Sequence, residues 1–213
     1  MRATCSRVLL LLTCTAGGLS AQQGNDCLKH LKWPEVGNWA TYQSVLNDKP
    51  GVARYAVVGT ENRNGTDMKW IEYKVVGGKS NDTTVFQMLV PSGPHELGQV
   101  EEIVMKSGGR KAMKMTGMMM KMVRGQMEKS SFLNNMCEGV ALVGEESVTV
   151  PAGDFQTYHF HNSKYDSDSW ISPNVPFAMV KAKGKNHDIA LTAVGTGATS
   201  SITETPQDMM GGK

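Results

Sequence analysis

Apolar and polar residues alternate along much of the chain, in short runs that Gly, Asn and Pro interrupt. In one run, Ile71, Tyr73 and Val75 alternate with charged neighbours, so they would share one face of an extended strand. Several such runs in succession are typical of an antiparallel meander. The predicted strands cover residues 38–46, 52–60, 67–76, 83–90, 99–106, 111–123, 139–150, 155–162, 168–172, 177–183 and 188–195.

About ten strands are too many for a flat sheet that is exposed to solvent, so the sheet must curl. We therefore predict a mainly β fold, in which a curved antiparallel meander of about ten strands forms a half-barrel or barrel. One or two short helices complete this prediction. The sequence favours a helix over residues 26–30, which Pro34 ends, and another over residues 126–137.

The first residues have the order of a secretory signal peptide. Arg2 and Arg7 precede the apolar run 8–12, and a stretch of small and polar residues leads to Ala21. We predict a signal peptide over residues 1–21, which implies a periplasmic or secreted protein.

The remainder is predicted to be a single β-rich domain over residues 22–197. The composition then becomes polar, which favours a flexible C-terminal tail over residues 198–213.

Neither the early apolar run nor any later segment reaches the roughly 20 apolar residues of a membrane-spanning helix.

The cysteines suggest an oxidised protein. Cys14 could be lipidated instead of being removed with the signal peptide. We favour removal, because Thr13 is at the position where a lipoprotein signal has Gly or Ala. Removal of residues 1–21 leaves Cys27 and Cys137, and a pair of cysteines in an exported protein predicts a disulfide. The alternative is two unpaired, buried thiols.

Charge and motif content argue against several classes of function. The formal net charge is +2, and the charged residues are scattered without a basic stripe, which argues against nucleic-acid binding. The chain has no Gly-x-Ser-x-Gly or Cys-x-x-Cys motif, so we predict a non-enzymatic protein without a cofactor. His159 and His161 would share one strand face, but two imidazoles are too few for a closed zinc site, and no metal site is predicted.

Methionine is the most unusual feature of the composition, with 15 residues in all. If residues 111–123 form a strand, Met118, Met120 and Met122 share one of its faces. Three interpretations stay open: methionines that fill an irregular core, an adaptable apolar surface for a ligand, or a site for Cu(I). The methionines concerned are Met113, Met115, Met118, Met119, Met120, Met122 and Met127.

Several short segments also carry a resemblance to a known group of proteins. These are Val148–Phe155, Trp170–Ser172, Val175–Lys181, Gly37–Tyr42 and Lys69–Tyr73. Together they resemble a pattern found in bacterial exported proteins of uncharacterised function. Those proteins are similar in outline to the outer-membrane lipoprotein carrier and related periplasmic proteins, whose fold is an unclosed antiparallel β-barrel capped by helices around an apolar cavity.

The resemblance implies a carrier-like role for an apolar, lipid-like molecule. An envelope protein is a second predicted partner. Two alternatives remain: a Met-rich Cu(I)-binding protein, and a structural or interaction module of the cell envelope without a small ligand. The predicted ligand-binding residues are Met113, Met115, Met118, Met120, Met122, Trp70 and Trp170.

Overall fold

The computed structural model describes residues 29–30, 34–76, 82–92, 100–129 and 140–209. In these residues the chain forms a single twelve-stranded sheet and a helix, α1 (Gly117–Lys129), so the predicted mainly β fold is confirmed. The strands are β1 (Trp39–Leu46), β2 (Lys49–Arg63), β3 (Thr66–Val76), β4 (Thr83–Pro91), β5 (Glu102–Ser107), β6 (Met113–Lys114), β7 (Val140–Val150), β8 (Gly153–Asn162), β9 (Ser167–Ile171), β10 (Met179–Gly184), β11 (His187–Gly195) and β12 (Gln207–Asp208).

The strand order is β12-β6-β5-β4-β3-β2-β1-β11-β10-β9-β8-β7, so β1 joins the two halves of the sheet. Neighbouring strands are antiparallel except for the parallel pair β12 and β6. Three strands separate β11 from β7, which would place them roughly 19 Å apart in a flat sheet. The N–H of Ala152, in the turn after β7, nevertheless donates to the carbonyl of Leu191 at 3.2 Å. The sheet therefore curls, while its end strands β12 and β7 stay unpaired with each other.

Tight turns fix the register of the first strands. Asn47 and Asp48, between β1 and β2, have φ of 49° and 63°, and Asn64 and Gly65, between β2 and β3, have φ of 51° and 83°. Two consecutive residues with positive φ are typical of the type I′ hairpin turn, which matches the twist of the strands. Asn64 and Gly65 thus form the reversal between β2 and β3.

Residues near the start of helix α1 pack against one face of β2 to β5, which we call the helix-side face. Met120 of α1 belongs to a buried cluster with Val57, Ile71 and Ile103, and the partly buried Val123 packs against it. Burial of several large apolar side chains, at about 1.5–3 kcal/mol each, makes this cluster a main source of stability.

The opposite face of the same strands is covered by residues 198–209, which we call the strap. Ile202 of the strap is buried in a cluster with Val85 and Val104. The strap ends in β12, which adds a strand to the edge of the sheet. Polar side chains of the strap have partners on the sheet, such as Ser201 with Glu72 and Glu204 with Lys106, while the flexibility expected for residues 198–213 stays a prediction. Residues 210–213 lie outside the described part of the chain.

The strand predicted over residues 111–123 is wrong. Only the two residues of β6 are extended, and α1 begins at Gly117. Met and Lys are good helix formers, and their alternation here imitates the period of a strand. Because the segment is helical, Met118 and Met122 are 79% and 66% exposed, whereas Met120 is only 7% exposed.

Each of the other predicted strands begins and ends within three residues of the bounds of an observed strand. The second predicted helix, over residues 126–137, overlaps α1 only at its start, and residues 130–139 lie outside the described chain. Cys27, Cys137, the signal peptide and most of the helix predicted over residues 26–30 also lie outside it. In the part of the chain that the structure describes, no helix has the length and apolar character needed to span a bilayer.

Candidate functional site

The two tryptophans predicted to bind a ligand lie far apart in the sheet. Trp70, in β3, packs against the cluster under the strap, and its indole N–H donates to the carboxylate of Glu61 at 3.2 Å. Trp170 is in β9, and four strands separate β9 from β3. The two side chains thus belong to different parts of the sheet, and their role in ligand binding stays a prediction.

The predicted methionine surface is also divided. Met120 and Met115 belong to the packing between α1 and the sheet, whereas Met118 and Met122 project from α1 into solvent. Met113, in β6, pairs with Met105 of β5. The fold thus places these methionines in three different environments instead of on one strand face.

Trp170 belongs instead to a polar ladder on β8 and β9. Its ring stacks on His159 at a centroid distance of 4.7 Å, and the ammonium group of Lys181 lies 5.0 Å from its centre. The indole N–H of Trp170 donates to Glu146, whose carboxylate also lies 3.1 Å from Nδ1 of His159. Trp170 pairs with His159 and with Lys181 on the two neighbouring strands, and its bond to Glu146 reaches across β8 to β7.

Asp168 completes this ladder. One of its carboxylate oxygens lies 2.9 Å from Nε2 of His159 and 3.1 Å from Nδ1 of His161. Partial burial acts to raise the pKa of Asp168, but the hydrogen bonds from both histidines outweigh it and hold this pKa below its ordinary value. Across the described residues, no three His, Cys, Asp or Glu side chains are arranged to hold a metal ion.

Aromatic residues form a row on the helix-side face. The rings of Tyr42 and Tyr55 are 5.9 Å apart, those of Tyr55 and Tyr73 are 4.8 Å apart, and Phe177 lies 5.7 Å from Tyr55. Burial raises the pKa of Tyr42 and of Tyr55 far above the ordinary value, so both hydroxyls stay neutral. The hydroxyl of Tyr42 donates to the carbonyl of Met179 at 3.1 Å. The row is therefore part of the packed core.

A groove of about 620 Å³ lies at the end of the β1–β2 hairpin. Val52 is opposite Gln43 of β1 and also opposite Val76 of β3, so cross-strand register brings Val52 and Val76 together. Val45 lies nearby in β1, and all three valines are exposed. We call this the valine groove; its lining residues are Gln43, Ser44, Val45, Pro50, Gly51, Val52, Val76, Asp188 and Ala190.

The chemistry of the valine groove is mainly aliphatic. Asp188 is the one ionisable residue among the described residues that line it, and none of them is aromatic. Val52 and Val76 lie on the same sheet face as Glu72, which is the face that the strap covers further along the strands. Valine suits strands in general, so each valine alone gave no signal of a site. The three valines come together only through the strand register, which the sequence alone does not reveal.

No protein-family model matches the chain, and no curated protein is significantly similar to it. Among solved structures, the chain is similar to a predicted exported protein with a YmcC-like fold from Bacteroides fragilis NCTC 9343, at 13% identity and a TM-score of 0.41, over 78% of this chain and 99% of that chain. It is also similar to a predicted lipoprotein from Parabacteroides distasonis ATCC 8503, at 11% identity and a TM-score of 0.37, with the same shares of the two chains. A third similar structure is MucB, at 11% identity and a TM-score of 0.32, over 89% of this chain and 64% of MucB.

Proposed function

We propose that this protein is an exported, non-enzymatic binding protein that holds an apolar molecule in the valine groove. The observation that carries the proposal is the groove itself, a depression of about 620 Å³ lined by exposed aliphatic side chains. Small-molecule sites are concave, mostly apolar and of about 300–1,000 Å³. Export is supported by the signal-peptide pattern of residues 1–21.

The lining favours an aliphatic ligand without charge at the point of contact. Val45, Val52 and Val76 offer branched hydrocarbon surface but no ring for stacking. A carboxylate, Asp188, at the groove would repel an anionic group of the ligand. An acyl or other hydrocarbon chain fits these properties, since each CH₂ group removed from water contributes about 0.8 kcal/mol.

Two substitutions test the groove. Val52 is 48% exposed in the groove, and Val194 is 40% exposed in β11 outside it, so Val52→Glu and Val194→Glu place the same new charge at similarly exposed strand positions. We expect Val52→Glu to weaken binding of the uncharged dye Nile red by about tenfold or more, because a carboxylate would lose water on contact with the dye. Val194→Glu should bind the dye as the unsubstituted protein does.

Fluorescence titration of the three purified proteins gives the dye affinities, and native mass spectrometry with organic extraction identifies any apolar molecule that accompanies the protein. Equal weakening by both substitutions would show that the dye does not use the groove. An unsubstituted protein that binds neither dye nor any extractable molecule would overturn the proposal and favour an interaction module without a small ligand.

A further inference from the structure

Strand β7 ends the sheet, and its outer edge has no strand partner in the part of the chain that the structure describes. It has eleven residues and pairs only with β8 among the described residues, whereas the opposite end of the sheet is the two-residue β12. Leu142 and Val143, near its start, are exposed large apolar residues, and Val143 is 60% exposed at a bulge opposite β8. An exposed edge strand is a template for pairing with another extended chain.

The register with β8 shows which backbone groups point outward. The turn between β7 and β8 has two residues, and Val150 pairs with Gly153 across it. Such a turn closes on a hydrogen-bonded pair, and every second pair along the ladder is then hydrogen-bonded. Glu146 belongs to a bonded pair, and the Thr157 hydroxyl also donates to its carbonyl at 2.8 Å. The N–H and C=O groups of Glu145 and Ser147 therefore point away from β8.

The charge on this edge favours one kind of partner. Glu145 and Glu146 are both exposed in the middle of β7. Two copies of β7 paired antiparallel about Glu145 would bring this glutamate opposite its own counterpart, and directly opposed like charges destabilise a strand pair. A strand with Lys or Arg at that position would instead form a favourable cross-strand pair.

We propose that β7 is a docking edge for an extended segment of a different polypeptide, which carries a Lys or Arg opposite Glu145 and an apolar residue opposite Leu142. The segment extends the sheet by β-strand addition, with affinity from backbone hydrogen bonds and selectivity from the side chains. This interaction is independent of the valine groove.

The test uses the full protein and two labelled peptides, one in which Val alternates with Lys and one in which Val alternates with Glu. We expect the Lys peptide to bind at least about tenfold more tightly in fluorescence anisotropy. Glu145→Lys should reverse this preference. Ser147→Pro should abolish binding of the Lys peptide, because proline removes the outward N–H of Ser147 but no ladder bond to β8. Ser147→Thr, which keeps the N–H, is the matched control.

The proposal is overturned if the two peptides bind equally, if neither binds, or if Glu145→Lys leaves the preference unchanged. It is also overturned if sedimentation velocity shows a dimer that Ser147→Pro dissociates, since the edge would then serve a second copy. The Glu145→Lys result decides the matter even if Ser147→Pro impairs folding, because an exposed charge reversal leaves the backbone intact.

Discussion

Asp168 shows how a surface ladder links charge to stability. Its pKa is lower in the folded chain than in the unfolded chain, because the bonds from His159 and His161 outweigh partial burial. A carboxylate of this kind stabilises the fold at pH values above its unfolded pKa, and the contribution is lost as the pH falls through its folded pKa. The side chain is 36% exposed, so solvent screening keeps the contribution small.

We expect Asp168→Asn to lower the free energy of unfolding at pH 7 by about 0.5 kcal/mol. The difference between the two proteins should shrink as the pH is lowered toward 3, because the carboxylate of the unsubstituted protein then becomes protonated. Urea denaturation at pH 7, 5 and 3 measures this. A difference that stays constant over the whole series would mean that packing, rather than charge, accounts for the effect.

Glu72 is a second carboxylate with a structural role, and it is 1% exposed. It accepts hydrogen bonds from the side chain of Gln87 at 2.9 Å and from the backbone and hydroxyl of Ser201 at 2.8 and 2.7 Å. Hydrogen-bond donors offset the cost of burying a carboxylate, and donors left without an acceptor are costly. Glu72 therefore fixes the strap to the sheet.

Glu72→Ala should lower the free energy of unfolding by about 3 kcal/mol, because the donors of Gln87 and Ser201 lose their acceptor. Hydrogen exchange in residues 198–209 should accelerate more than in β8 or β9. Glu145→Ala, at an exposed glutamate, is the control and should change stability by less than about 0.5 kcal/mol. A strap that keeps its protection in Glu72→Ala would mean that Ile202 and β12 hold it without Glu72.

Helix α1 places three methionines that are close in sequence in two different environments. On a strand, Met118, Met120 and Met122 would be equivalent, but on a helix Met120 faces the core and the other two face solvent. We expect Met120→Ala to cost about 2–4 kcal/mol of stability, because it leaves a cavity between α1 and the sheet. Met122→Ala should cost less than about 0.5 kcal/mol. Chemical denaturation of both variants checks this, and equal costs would argue against the helix.

Most strands could be predicted from sequence, because each one encodes its own period of two. The run 67–76, which proved to be β3, needed no information from elsewhere in the chain. The strand predicted over residues 111–123 was wrong because the Met and Lys residues there partly alternate. A short apolar run of this kind does not distinguish a strand from a helix. The docking of the strap on the sheet could not be predicted for another reason. Its order depends on a distant partner, Glu72, which no local pattern reveals.

The valine groove could not be predicted, since it exists only when several strands pair in the observed register. Val45, Val52 and Val76 come from three strands, and Asp188 comes from a fourth that lies far away in sequence. A shift of one residue in any pairing would turn the valine of that strand to the other face. Sequence reasoning instead selected Trp70 and Trp170, whose size suggests a ligand site but whose strands lie apart.

The pairing of β1 with β11 holds the two halves of the molecule together, because β1 is the one strand between the half that contains β3 and the half that contains β9. Trp39 of β1 lies directly over Gly195 of β11, where an added Cβ would come within 2.5 Å of the indole ring. The indole N–H also donates to the carbonyl of Thr196 at 3.1 Å, so the ring cannot move without losing this bond.

Gly195→Ala should therefore lower the free energy of unfolding by about 1–3 kcal/mol through steric overlap with Trp39. Since β1 contacts both halves, we expect hydrogen exchange to accelerate together in β3–β4 and in β8–β9, as one cooperative unit requires. Adding Trp39→Leu should relieve the overlap, so the double variant should be more stable than the sum of the two single effects predicts. Acceleration confined to β8–β9 would mean that the half of the sheet beyond β1 folds without its neighbour, and that the twelve strands form two units rather than one.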